Sequence, residues 1–245
     1  MKSLYACCFS LWCFVNVISQ TKVNHHEEQV WIGYMTTAKL SERFGLWNDV
    51  HWASENFFIS RHGLTYSLLP NMSVAGGFAW GFLGVSDGSL ERLELRPWGQ
   101  VVWSQSSRDD WQIQQRIRYD ARFKQQYVQG NLIDGAFDFN HRVRYMLSVK
   151  KSLNGQPLRE TPWFAALNNE VLLNFGDTIK NNNLDQTRTS LFIGKNFKKS
   201  TVQVGYMYRY VPQSTPATYK RYHALTLWIF QNFDFRKNKN TEVAH

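Results

Sequence analysis

Between Trp111 and Lys124 the chain alternates apolar and polar residues with almost no interruption. Trp111, Ile113, Ile117, Tyr119, Ala121 and Phe123 occupy one set of positions, with Gln115 alone departing. Gln112, Gln114, Arg116, Arg118, Asp120, Arg122 and Lys124 occupy the other. Residues two apart share one face of a strand, whereas a helix would scatter both sets around its circumference. The same alternation returns in Phe137–Lys150, where Phe137, Phe139, Val143, Tyr145, Leu147 and Val149 oppose Asp138, Asn140, Arg142, Arg144, Ser148 and Lys150. It returns again in Thr201–Val211. In Met72–Leu83, Val74, Phe78, Trp80 and Phe82 face one way, and small residues from Ser73 to Gly81 the other, which leaves room inside a barrel for bulky partners.

Further strands are predicted at Gln29–Lys39, Phe44–Ala53, Phe57–Leu69, Leu93–Gln105, Trp163–Asn174, Asp185–Lys195 and Tyr222–Phe235. Segments of about 10–13 residues are long for a soluble sheet and match what crosses a bilayer at a tilt. The connections read as short at Leu69–Asn71, Ser106–Asp110 and Phe197–Lys199. They read as longer and polar at Gly84–Arg92, Gln125–Gly135, Gly176–Leu184 and Pro212–Thr218. The expected fold is therefore all-β: a single antiparallel up-and-down transmembrane β-barrel of 10–12 strands. Eleven segments are counted, but single-chain bacterial barrels have even strand numbers. The expectation is accordingly ten or twelve, with a misplaced boundary between Gln29 and Leu69.

Composition supports one folded domain. Charged residues make up 19% of the 245 residues and aromatic residues 16%, too little charge and too many rings for a disordered chain. A mean hydropathy of −0.42 would ordinarily suggest a soluble protein. It does not exclude a transmembrane barrel, because half of each strand faces a polar lumen. The most apolar later stretch, Val74–Val85, is too short and glycine-rich to span as a helix.

Residues 1–19 read as a secretory signal: Lys2, an apolar stretch from Leu4 to Ile18, then Val17 and Ser19 at the −3 and −1 positions of a cleavage site. Cys7, Cys8 and Cys13 all lie within it, so the mature chain from Gln20 would hold neither a disulfide nor a thiolate metal site. Bulky Trp12 before Cys13 argues against a lipoprotein. The barrel is assigned to residues 20–235 and a polar tail to residues 236–245.

Five stretches resemble a family of outer-membrane barrels from Gram-negative bacteria catalogued as domain of unknown function 2490. They are Glu94–Gln100, Gln115–Phe123, His141–Tyr145, Asn168–Val171 and Val204–Tyr208. The resemblance implies a barrel in the outer membrane, inserted by the barrel-assembly machinery and in contact with outer-membrane lipid, with no assigned activity. Barrels of this type often end on an aromatic residue, whereas here ten residues follow Phe235.

The polar faces carry Glu94, Arg96, Arg116, Arg118, Asp120, Arg122, Arg142, Arg144, Glu170 and Arg209, with Asp49 among them. An arginine facing lipid near the bilayer midplane costs about 2–4 kcal/mol, so these side chains are expected to point into the barrel. They could line a pore that prefers anions, or form a closed network of ion pairs filling a narrow lumen. The expected role is a narrow channel for small solutes or a structural membrane protein, non-enzymatic and without cofactor or metal. The alternatives are a lipid-modifying esterase or acyltransferase using a His/Ser pair, and a soluble calyx that binds an apolar ligand.

For the enzyme alternative, His62, His141 and His223 lie in strands, and Ser60, Ser148 and Ser190 are conceivable partners, but spacing selects none. Gly84-Val-Ser-Asp-Gly88 satisfies a nucleophile-elbow pattern without the strand–turn–helix setting it requires, and reads as a turn. His25-His-Glu-Glu28 reads as a solvated, mobile N-terminal segment rather than a metal site. Basic residues recur at strand spacing instead of gathering on one surface, so no nucleic-acid partner is expected.

Overall fold

The computed structural model describes residues 23–54, 57–85, 90–108, 110–158 and 162–236. The signal segment, most of the Gly84–Gly88 motif and most of the polar tail lie outside these residues. The chain forms β1 (Val23–Lys39), β2 (Phe44–Ala53), β3 (Phe57–Leu69), β4 (Met72–Val85), β5 (Leu90–Arg108) and β6 (Trp111–Val128). It continues with β7 (Asn131–Ser152), β8 (Trp163–Phe175), β9 (Leu184–Asn196), β10 (Ser200–Pro212) and β11 (Thr218–Asp234). Each strand pairs with its sequence neighbours, and β1 pairs with β11 to close a barrel.

All eleven segments read from the alternation are strands, and the adjustment to an even number is overturned. A chain that runs up and down eleven times brings its first and last strands back in the same direction. The seam is accordingly parallel, from Val23 opposite Thr218 to Lys39 opposite Asp234, while every other pairing is antiparallel. The chain thus enters at one rim, where β1 begins, and leaves at the other, where β11 ends.

Two further expectations are corrected. The stretch around His26 is not a tail but the opening of strand β1 in the seam: Glu27 pairs with Lys220 at 2.7 Å and His26 stacks on His223. The Gln125–Gly135 stretch is not a long loop. β6 and β7 continue past the barrel wall as a hairpin, closed by Gln129 and Gly130 at φ of 50° and 86°. Both lie in the left-handed region that a two-residue hairpin turn demands. Three unpaired residues, Asp134 to Ala136, absorb the register shift at its base. The alternation of short and long connections is therefore incomplete, because the longest connection, 153–162, falls on the rim of the short turns.

The exterior is apolar. Val30, Ile32, Leu46, Leu64, Ile117, Val143, Leu167, Leu191, Ile193, Val204 and Leu225 are exposed, with Phe, Tyr and Trp around them. The interior combines buried charge with three aromatic clusters. Trp31, Ala53, Met207 and Ala224 pack together; so do Ile59, Ala79 and Trp98, and Phe164, Ala166 and Phe192. The small residues of β4 do make the room expected of them, since Ala79 is fully covered beneath Trp98 and Ile59. Gly33 serves the same end at the seam, where a Cβ would fall 1.9 Å from the Trp228 ring.

Candidate functional site: the arginine-lined lumen

Alternation sends the even positions of β6 and β7 inward, so Arg116, Arg118, Asp120, Arg122, Arg142 and Arg144 enter the lumen from two adjacent strands. Glu94 and Arg96 come from β5, Glu170 from β8 and Arg209 from β10. All ten residues singled out by sequence face the interior, as does Asp49. They do not form one cluster. Glu94, with no exposed surface, accepts from Arg96 at 2.7 and 2.9 Å and from both Nε and Nη2 of Arg122. Glu170 gathers Arg116 at 2.6 Å and Arg144 at 2.8 Å, with Arg188 at 3.8 Å. Asp120 lies 3.7 Å from Arg144.

Four participants were not among the sequence candidates' charge cluster. Arg61 donates to Asp49 at 2.8 Å, Asp185 accepts from Arg142 at 2.9 Å, and Arg188 completes the Glu170 group. The fourth, Gln186, accepts from Arg188 and Arg209. Arg188 could have been found by the rule that identified the others, because Gln186, Arg188 and Ser190 alternate on β9. Arg61 could not, since its face also carries Ile59 and Gly63.

Aromatic rings do part of the work of carboxylates here. The Arg118 guanidinium lies 5.1 Å from the Trp47 ring and 5.0 Å from the Trp98 ring, and Arg209 lies 4.9 Å from Trp31 and 4.7 Å from Tyr222. A ring face attracts a cation through its quadrupole, more strongly where water is excluded. Arg118 also donates twice to Gln100, but its Nη1 has no hydrogen-bond partner among the described residues, and neither has Arg116 Nε.

The interior charges do not balance. Arg61, Arg96, Arg116, Arg118, Arg122, Arg142, Arg144, Arg188 and Arg209 make nine arginines against five carboxylates, Asp49, Glu94, Asp120, Glu170 and Asp185. A cavity of about 640 Å³ opens at the rim where β11 ends, bordered there by Lys39, Glu42 and Arg43 and deeper by Arg116, Arg118 and Gln100. A second cavity, of about 170 Å³, lies toward the opposite rim beside Gln29, Phe57 and Tyr222. His51, Arg61, Arg144 and Arg188 border both, so the two spaces adjoin at one layer of charged side chains.

Residues 28–220 match the family described as a protein of unknown function, DUF2490. The chain belongs to that family. The family resemblance read from the five short stretches therefore stands, and it brings the family no activity. Among solved structures, a NanC porin in a rhombohedral crystal form is similar, at 15% identity over 75% of this chain and 87% of that chain, with a TM-score of 0.45. No curated protein matches the chain.

The histidines and serines considered for catalysis are divided by the barrel wall. Ser148 and Ser190 border the larger cavity, whereas Ser60, His62, His141 and His223 lie outside it. Among the described residues no group of three or more His, Cys, Asp or Glu could hold a metal ion. Ser86 to Gly88 lie outside the described residues.

Proposed function

We propose that this protein resides in the outer membrane of a Gram-negative bacterium and acts as a narrow channel for small anionic solutes. The reading is carried by one observation: the lumen holds nine arginines against five carboxylates. Uncompensated charge in a low-dielectric interior is expensive, so a site of this kind favours a mobile anion over a cation. Arg116 and Arg118 border the larger cavity, where their charge attracts that anion.

Residence in a membrane is supported by where the apolar side chains lie. A soluble calyx buries its apolar faces and exposes its charges, and this barrel does the reverse. Exposed apolar surface on this extent marks a surface meant to be covered, and a closed barrel leaves no strand edge to satisfy inside lipid.

The test is a planar-bilayer recording of the purified chain across a KCl gradient. The expected reversal potential lies toward that of chloride, and Arg116→Glu with Arg118→Glu shifts it toward that of potassium. Absence of conductance, or unchanged selectivity in the double variant, would overturn the channel reading.

A further inference from the structure

On the outer surface, at outward positions of β1, β2 and β3, four polar side chains form one hydrogen-bonded row across the apolar belt. Ser60 Oγ lies 2.9 Å from His62 Nε2, His62 Nδ1 lies 2.9 Å from Asn48 Oδ1, and Asn48 Nδ2 donates to Thr36 Oγ1 at 3.3 Å. The fold dictates the arrangement. Ser60 and His62 are two apart on β3 and so share a face, and Asn48 is the residue directly opposite His62 on β2. Exposed Phe58, Leu64, Leu46 and Trp80 surround the row.

Polar groups facing lipid are costly and mark functional positions by default. Elsewhere on this surface histidine is satisfied by tyrosine: His141 by Tyr119 at 2.6 Å and His223 by Tyr206 at 2.5 Å. His62 instead stands between a serine hydroxyl and an amide oxygen, which is the order of nucleophile, base and orienting group in a serine or cysteine hydrolase. A neutral asparagine suits this place better than an aspartate, because it orients the ring without setting a permanent charge in hydrocarbon.

We propose that Ser60, His62 and Asn48 form an esterase triad open to the membrane, whose substrate is the acyl ester of a membrane lipid. Ser60 Oγ attacks the ester carbonyl carbon while His62 Nε2 takes the hydroxyl proton. Collapse of the tetrahedral intermediate breaks the bond to the lipid alkoxide, which receives that proton, and leaves the acyl group on Ser60. Water then gives a proton to His62 and its hydroxide to the acyl carbon. Release of the fatty acid returns the proton to Ser60 Oγ. Asn48 is a positioning residue: its Oδ1 accepts Nδ1–H and leaves Nε2 free to act as base. Ser60 lies three residues from the start of β3, about 10 Å of strand, which sets it near the rim, where lipid ester groups sit above the acyl chains.

The lipid substrate rests on the membrane residence proposed above; the nucleophilicity of Ser60 does not. One arm of the test therefore treats the detergent-solubilised full chain with a fluorophosphonate and maps the adduct by mass spectrometry. The other measures fatty-acid release from phosphatidylethanolamine in mixed micelles. The expected results are an adduct on Ser60 and fatty acid released above protein-free micelles. Ser60→Ala should abolish both, and His62→Ala should slow release about a hundredfold or more. Asn48→Ala should lower turnover without changing KM, and Asn48→Asp, which can still accept from Nδ1–H but brings a charge, should restore it only in part. Each variant is checked for its heat-dependent gel shift to establish that the barrel has formed. No adduct on Ser60, or release undiminished in Ser60→Ala, overturns the triad. An adduct without fatty-acid release overturns the lipid substrate while leaving the nucleophile in place. Neither result bears on conductance through the lumen.

Discussion

Glu94 holds two guanidinium groups with its two oxygens and has no exposed surface, and Arg96 and Arg122 are themselves buried, so both lose their carboxylate partner if the charge goes. Removing one partner of a buried ion pair leaves an uncompensated charge and typically costs about 3–5 kcal/mol. Glu94→Gln keeps the shape and removes the charge. It is expected to lower the unfolding free energy of the folded barrel by that amount, obtained from the urea midpoint and slope as the heat-shifted gel band is lost. A change below about 1 kcal/mol would instead mean that water screens the lumen as it does a surface pair. The charged members of this network were legible because alternation alone sends a strand's polar face one way. The rings over Arg118 and Arg209 were not. Trp47, Trp98 and Trp31 stand among residues of mixed character, and only closure of the barrel brings them against cations from other strands. The exterior row is hidden for the same reason: Ser60 and His62 share a face of β3, but the asparagine that orders them comes from the neighbouring strand.

The β1–β11 seam is the element on which the architecture turns. Periodicity identifies strands one at a time and carries no information on how a sheet closes, so the count of eleven stood beside an expectation of even parity. In the structure the parallel pair runs the whole length of β1, and Thr37 Oγ1 meets Asn232 Oδ1 across it at 2.5 Å. Paired cysteines at Thr37 and Asn232, in a chain lacking residues 1–19, are therefore expected to cross-link on oxidation. The product should migrate faster than its reduced form on a denaturing gel. Failure to cross-link in a folded barrel would reject the parallel seam. The β6–β7 hairpin shows a different limit. Its polar composition resembles a loop, and pairing between the two arms, rather than burial, keeps it extended.

An odd strand number has a consequence for the molecule as a whole, because the two ends of the barrel chain emerge at opposite rims. Epitopes placed before Val23 and after Arg236 should be reached by antibody from opposite sides of an intact membrane. Detection of both from one side would require a twelfth crossing. Membrane residence itself is checked by cell fractionation and by gel migration with and without boiling. The expected band is in the outer-membrane fraction, requires detergent and changes mobility on heating. A soluble periplasmic band without a heat shift would reverse the assignment of lipid-facing and lumen-facing sides.

Strand identity, the inside–outside assignment of each residue and the excess of inward arginine all follow from a period of two, a local property that survives without any knowledge of neighbours. Which carboxylate meets which arginine, which rings cover the remainder, how the seam closes and where the lumen narrows depend on contacts between residues far apart in the chain. Arg209 reaches Gln29 across 180 positions, and Lys220 reaches Glu27 across 193. Register and closure set those meetings, and a two-residue slip in either would keep every side chain on its own face while moving each charge to a different partner, whereas a one-residue slip would turn a strand's charges outward.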